Sequence, residues 1–412
     1  MSKNIPISEV VKSVSITHKF NKSHLLFLNT SDIEGGKIIN KNYLPVSELK
    51  GQAKKTIKKN DILFSEIRPK NRRFAYVDFD DTEDYVVSTK LMVLRNINSN
   101  VDNKYFYYFL TNDGMLNILQ NRAENRICSF PQITYDLLSE YKIRVPELEE
   151  QQKIATVLST LDSKIELNNR INVELEAMAK TVYDYWFVQF DFPNDEGKPY
   201  KTSGGKMVWN KELKREIPEG WEVNYLTEIA DTSSGGTPLS TNQSYYINGE
   251  IPWVNSGELN NSLITNTSNY ITEIGLKNSS AKLFQINTIL VALYGATAGK
   301  VSLLKIPACT NQAICAVIAK SDNFHNYLYF FFSNLYRYLV SLSTGSARDN
   351  LSQEIIRKLK LTIPPKHLIE QFGSLANPIF DKITLNIREN QQLSSLRDWL
   401  LPMLMNGQVR VE

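Results

Sequence analysis

The sequence predicts an α/β (α+β) fold written twice, as two tandem globular domains separated by long helices. Three observations carry this. First, "KIELNNRIN" at 164–172 and "KITLNIREN" at 382–390 share six of nine positions. Further pairs follow in the same order at offsets of 218 to 227: "FLNTSDI" at 27–33 with "WVNSGEL" at 253–259, "NDIL" at 60–63 with "NTIL" at 287–290, and "YKIRVP" at 141–146 with "LKLTIP" at 359–364. Self-similarity at a fixed period marks a tandem repeat. Second, each copy begins with short β-rich runs broken by Gly, Asn and Ser. Third, residues 147–192 hold neither Gly nor Pro and space their apolar residues helically. The predicted division is a first globular domain over 1–145, a helical spacer over 146–192, a linker loop over 193–214, a second globular domain over 215–363 and a second helical spacer over 364–412.

In chain order, "RRFAYVDF", "YVVSTKLMVL", "NTILVALY" and "KVSLL" predict strands, and the aromatic stretches "KYFYYFLTN" and "NYLYFFFSN" predict one helix per domain. The first domain opens on "IPISEVVKSV", where no strand or helix is evident. In the first spacer a 4-3 alternation runs through Ile154, Leu158, Leu161, Ile165, Asn168, Asn172, Leu175 and Ala179, and the second gives Ile383, Asn386, Asn390, Leu393, Arg397, Leu400 and Leu404. This is a coiled-coil seam with polar interruptions, in which a buried Asn fixes register at a cost in stability. An alternative stripe through Leu167, Ile171 and Met178 would leave the Asn exposed. If the helix pairs antiparallel with its copy, Asn168 and Asn172 stand against Asn390 and Asn386. Pro378 after Asn377 reads as a helix start and Pro402 as an end, so the second helix is expected over 378–401, roughly 36 Å at 1.5 Å per residue.

Catalytic motifs fail one by one. "GATAGKV" at 295–301 has three residues between its glycines and Val after Lys, where a phosphate loop needs four residues and a hydroxyl. It reads instead as a glycine loop between strands, presenting Tyr294 and Lys300. No GxSxG, HExxH or methyltransferase tetrad occurs. Cys128, Cys309 and Cys315 form no CxxC, and the four histidines are scattered, so neither a disulfide framework nor a metal site is expected. No segment reaches the roughly 18 apolar residues of a membrane helix, so a cytoplasmic protein without membrane contact is expected.

Binding features are better represented. The net charge is only +3, yet residues 1–145 carry an excess of six positive charges and 146–214 an excess of three negative ones. Lys54, Lys55, Lys58, Lys59, Arg68, Lys70, Arg72 and Arg73 crowd one twenty-residue stretch beside Phe74 and Tyr76. Cations beside strands and aromatics suit a DNA-backbone contact; a solvated charge run explains them as well.

Several strings together resemble the specificity (S) subunit of type I restriction–modification systems: "VPELEEQQKIATVLSTLDSKIELNNRINVELEAMAKTVYDYWF" at 145–187, "IPEGWEV" at 217–223, "SSGGTP" at 233–238, "IPWVNSGEL" at 251–259 and "LLPMLMNGQVRV" at 400–411. The resemblance covers essentially the whole chain. It implies two target-recognition domains, each reading half of a bipartite sequence in double-stranded DNA, held apart by an antiparallel coiled coil with pseudo-twofold symmetry. It also implies docking of two methyltransferase (M) subunits and two restriction (R) subunits. S-adenosylmethionine, ATP and Mg would then sit on those partners, with no cofactor, metal or catalytic residue on this chain. A 36 Å spacer would span about ten base pairs at 3.4 Å each. By the same resemblance, "TGSARDNLSQ" at 344–353 adds Ser346, Arg348 and Asn350 to the expected DNA-binding residues, whereas "NRICSFPQI" in the first domain departs from the pattern. The competing reading is a stand-alone tandem-repeat DNA-binding or regulatory protein without enzymatic partners.

Overall fold

The structure, a computed structural model, describes residues 2–125, 131–343 and 351–411. It comprises two compact units, Met1–Ile165 with Gln391–Glu412, and Glu166–Asn390. The unit boundary therefore falls inside both long helices, and each unit holds one globular part with a stretch of each helix.

In the first unit the central strand Ile62–Ser65 pairs antiparallel with Leu91–Asn96 on one side and Phe74–Tyr76 on the other, and Val11–Ser13 closes the sheet. Its residues alternate between two buried layers, as the two-residue period of a strand requires. Ile62 and Phe64 pack with Tyr105, Phe106 and Leu116 and with Ile154, Leu158, Leu401 and Leu404 of the long helices. Leu63 faces the other way, among Leu26, Leu28, Val87 and Val93. Burial on both faces explains why these strands read as continuous apolar runs. A second sheet carries His24–Leu28 parallel to Tyr85–Ser88. Helices Asn103–Thr111 and Asp113–Glu124 follow, capped by Asp102 and Asn112, whose side chains accept from the backbone N–H groups of Tyr105 and Met115.

The second unit repeats this plan. Ile289–Ala292 pairs antiparallel with Ile314–Ala319 and Val301–Leu304, with Ala230–Ser234 at the edge. Ile251–Val254 runs parallel to Cys309–Thr310, and helices Phe324–Asn334 and Tyr336–Ser343 follow. The repeated words now have physical causes. Asn29 and Asp32 form a reciprocal capping box around a short 3-10 turn, and Asn255 and Glu258 form the same box. Asn60 and Asn287, which open "NDIL" and "NTIL", both sit in the left-handed region at φ +70° and +64°, which Asn tolerates.

Three differences from the sequence expectation stand out, while the first helix falls inside its expected span. The opening of the first domain is ordered: Lys3–Pro6 pairs with Lys142–Val145 as Glu222–Tyr225 pairs with Lys360–Ile363. The stretch 193–214, expected as a loop, contains the strand Met207–Asn210, which forms a hairpin with Arg215–Pro218. The first helix runs Leu148–Tyr183 and ends in a π turn over Asp184–Val188. The second runs Lys366–Asn406, 41 residues that pass through both Pro378 and Pro402.

An interior Pro costs a helix about 3 kcal/mol. Phe372, Ala376, Phe380 and Ile383, all within 2% of complete burial, offset it, since a buried large apolar side chain contributes about 1.5–3 kcal/mol. Asn377 caps nothing: its amide donates to Asn323 Oδ1 at 2.7 Å and accepts from Asn326 Nδ2 at 2.6 Å. The helix stops at Gly407, φ +71°, where the N–H groups of Gly407 and Gln408 donate to the carbonyls of Leu404 and Met403 in a Schellman arrangement. At about 62 Å this helix is far longer than the 24 residues behind the ten-base-pair figure, which therefore falls.

Candidate nucleic-acid interface

The basic stretch of the first unit is not one uniform surface. Lys54 and Lys58 are exposed. Lys59 pairs with Asp80 at 2.8 Å, with both side chains about half exposed or more. Lys55 departs from the expectation. It is 8% exposed, its ammonium donates to the carbonyls of Leu91 and Thr89 at 2.8 and 3.2 Å, and burial lowers its pKa. Its position on a strand, alternating with Lys54, turns it inward, so it is unavailable to a ligand.

Arg68, Lys70, Arg72 and Arg73 lie on the loop 66–73, which joins the strands Ile62–Ser65 and Phe74–Tyr76. A short 3-10 turn, Pro69–Asn71, forms its tip, and Arg68 and Arg72 flank the turn at φ +47° and +53°. A left-handed non-glycine residue costs roughly 1–2 kcal/mol. The surroundings brace this loop: Arg68 N–H donates to the Pro131 carbonyl at 3.0 Å, and Lys70 N–H donates to Oε1 of the buried Gln120 at 3.2 Å. Arg72 pairs with Asp113 at 2.5 Å, with side chains 41% and 65% exposed, a pair worth only about 0–1 kcal/mol. Arg73 points back to the carbonyl of Ile33 and the carboxylate of Glu34 at 3.1 and 3.3 Å. Gln120 and Asp113 went unnoticed in the sequence, because neither adjoins the basic stretch along the chain.

In the second unit, Tyr294 and Lys300 lie on the loop 293–300 between strands Ile289–Ala292 and Val301–Leu304. Tyr294 is 37% exposed, and Lys300 Nζ lies 5.0 Å from the centre of the Tyr336 ring, within cation–π range. Gly295 and Gly299 take φ +84° and +77°. Ser346, Arg348 and Asn350 lie outside the described residues, as does Cys128. Cys309 and Cys315 are buried free thiols, raised by burial to about 11 and about 12.

The helices carry a polar ladder within the second unit. Asn168, 1% exposed, donates to Asn390 Oδ1 at 2.9 Å and to Glu389 Oε2 at 2.7 Å. Asn386, 2% exposed, donates to Asn172 Oδ1 at 2.8 Å, and Asn390 donates to Asn169 Oδ1 at 3.0 Å. Rising numbers on one helix meet falling numbers on the other, so the helices are antiparallel. Ile383 is buried beside this ladder and Leu175 half-buried, while Leu167 and Met178 are 42% and 58% exposed. In the first unit Ile165 and Leu393 are half-buried. There Arg397 pairs with Asp162 at 2.7 Å, and Asp162 also accepts from the Tyr108 hydroxyl at 2.6 Å.

Comparison with known proteins agrees with this architecture. The family described as type I restriction modification DNA specificity domain matches twice, over residues 3–177 and 218–394. The chain is 31% identical to the type I restriction enzyme HindI specificity subunit of Haemophilus influenzae, over 99% of each chain. It is 32% identical to the type I restriction enzyme MjaIX specificity subunit of Methanocaldococcus jannaschii, over 76% of this chain and 70% of that one. Among solved structures, the type I restriction–modification system S subunit from M. genitalium shares the fold at a TM-score of 0.59, 17% identity and coverage of 98% and 96%. With two family matches spanning most of its length, this chain belongs to the type I restriction modification DNA specificity domain family.

Proposed function

We infer that the chain is the DNA sequence-recognition subunit of a type I restriction–modification complex. The observation that carries this reading is the doubling itself: one globular fold occurs twice in a family of DNA specificity domains. Two similar readers suit a bipartite target. Each unit reads one half through the loop that joins its central strands, with neighbouring lysines added in the first unit. In the first unit these contacts come from Lys54, Lys58, Arg68, Lys70 and Arg72, with Lys59 and Arg73 contributing if their acidic partners yield. In the second they come from Tyr294 and Lys300, joined by Ser346, Arg348 and Asn350 through the family resemblance. The helix pair docks two methyltransferase subunits and two restriction subunits. Methyl transfer from S-adenosylmethionine and Mg- and ATP-dependent cleavage belong to those partners, and this chain is non-catalytic. No helix among the described residues is long and apolar enough to cross a membrane.

The test is to express the chain with its methyltransferase partner in a host lacking other adenine modification and to sequence the modified adenines. A two-part motif that disappears when this chain is omitted is expected. Modification that persists unchanged without it, or S-adenosylmethionine binding by the isolated chain, would overturn the reading.

A further inference from the structure

The loops 66–73 and 293–300 are the same loop written with different residues. Their flanking strands pair in one register: Ile62 opposite Tyr76 and Phe64 opposite Phe74 in the first unit, Ile289 opposite Leu303 and Val291 opposite Val301 in the second. Every one of these positions is related by an offset of 227. The same offset carries Arg68 onto Gly295 and Arg72 onto Gly299. All four residues are left-handed. One inner hydrogen bond is kept, Asn71 N–H to the Arg68 carbonyl at 2.8 Å and Ala298 N–H to the Gly295 carbonyl at 3.1 Å, while the next one differs: Arg72 N–H donates to the Pro69 carbonyl and Gly299 N–H to the Ala292 carbonyl.

Glycine adopts this backbone without strain, and arginine does not. The first unit therefore holds two arginines where its own second copy shows that glycine serves the same turn. Packing does not account for them. Arg68 is exposed, and Arg72 spends its guanidinium on an exposed ion pair too weak to offset the strained backbone. Strain retained without a structural return points to use of the side chains themselves.

We propose that Arg68 and Arg72 are the dominant DNA-backbone contacts among the basic residues of the first unit, held on a strained hairpin tip so that two guanidinium groups flank it. The second unit presents the same tip with glycines, where the open space around Gly295 lets backbone N–H groups approach a phosphate. This rests on the DNA-recognition reading and goes beyond it: it selects two residues from the basic stretch and gives the two halves different chemistry on one scaffold.

The experiment gives the first unit its copy's residues, Arg68→Gly with Arg72→Gly, in the full chain. Binding is measured against a labelled duplex recovered by the wild-type chain from a random-sequence pool. The Kd should weaken at least about tenfold near 150 mM salt, and the slope of log K against log salt should fall by about two. Thermal stability should hold or rise by about 2 °C, because relief of strain exceeds the added chain entropy of glycine. Arg68→Asn with Arg72→Asn, which keeps a residue at home in this region, should behave alike if the glycines prove too flexible. Lys277→Ala, a surface lysine of the second unit, should change neither quantity. Unchanged affinity and slope in both double variants would overturn the inference, as would an equal loss in Lys277→Ala. If the wild-type chain recovers no duplex either alone or with its methyltransferase partner, the DNA-recognition reading itself has failed.

Discussion

Replacing Asn168 by Leu removes the centre of the polar ladder in the second unit, and the outcome depends on what stands opposite. Asn168 is 1% exposed and donates two hydrogen bonds, to the Asn390 amide oxygen at 2.9 Å and the Glu389 carboxylate at 2.7 Å. The neutral bond contributes about 1 kcal/mol and the one to a carboxylate about 1.5–3 kcal/mol. Leucine recovers part of this by apolar burial, yet it leaves the Asn390 oxygen facing a methyl group. The net loss is about 2–3 kcal/mol, or roughly 4–12 °C in the melting of a unit this size. Scanning calorimetry of the full chain should show one transition lowered by that amount while the other holds. Changing Asn172 as well strands Asn386 and should lower it further. Changing Asn168, Asn172, Asn386 and Asn390 together removes the four facing amides, though Asn169 and Glu389 each lose a bond, so the pair loses its register, which crosslinking at engineered cysteines would reveal. A single Asn168→Leu variant that melts higher than the wild type would refute the ladder as a bonded, buried feature.

Three further outcomes follow from individual side chains. Lys55→Met should leave DNA affinity and its salt slope unchanged, while unpairing the Leu91 and Thr89 carbonyls lowers stability by about 1–3 kcal/mol; a loss of affinity in titrations against duplex would return Lys55 to the interface. Asp113→Asn removes the carboxylate that competes for Arg72, so duplex binding should tighten about two- to fivefold, and weaker binding would show that Asp113 orients the arginine. Burial, helped by the nearby Lys305 charge, pushes His325 down from 6.5 to about 4. Between those values the unfolded chain binds the extra proton, so stability falls as pH drops from about 6.5 to 4, by about 3 kcal/mol in total, and is flat below. Calorimetry of His325→Leu should lose that slope, and an unchanged slope would assign it to other groups.

Features set by neighbouring residues were legible in the sequence. The capping boxes at Asn29 and Asn255 and the left-handed Asn60 and Asn287 are local devices, so they survived as repeated words. The start of the second helix was not legible. Pro378 carries a strong local stop, and only the burial of Phe372, Ala376 and Phe380 against residues distant in sequence overrides it. Lys55 misled for a related reason. Its charge is written in the sequence, but the carbonyls of Thr89 and Leu91 that absorb it come from a pairing 34 and 36 residues away.

The candidate site was least legible where it matters most, and the cause is physical. A left-handed glycine announces its backbone, since Gly is the residue that reaches φ > 0 without cost. A left-handed arginine announces only its charge. "GATAGK" therefore read as a loop while "RPKNRR" read as a basic patch, although the two share strand register and left-handed positions. The duplication supplies what residue type withholds, because the glycines of one copy report the backbone of the other. The consequence reaches past this loop. Where two copies agree in backbone and disagree in residue, the fold does not explain the strained residue of the pair, and what that residue touches becomes the reason to keep it.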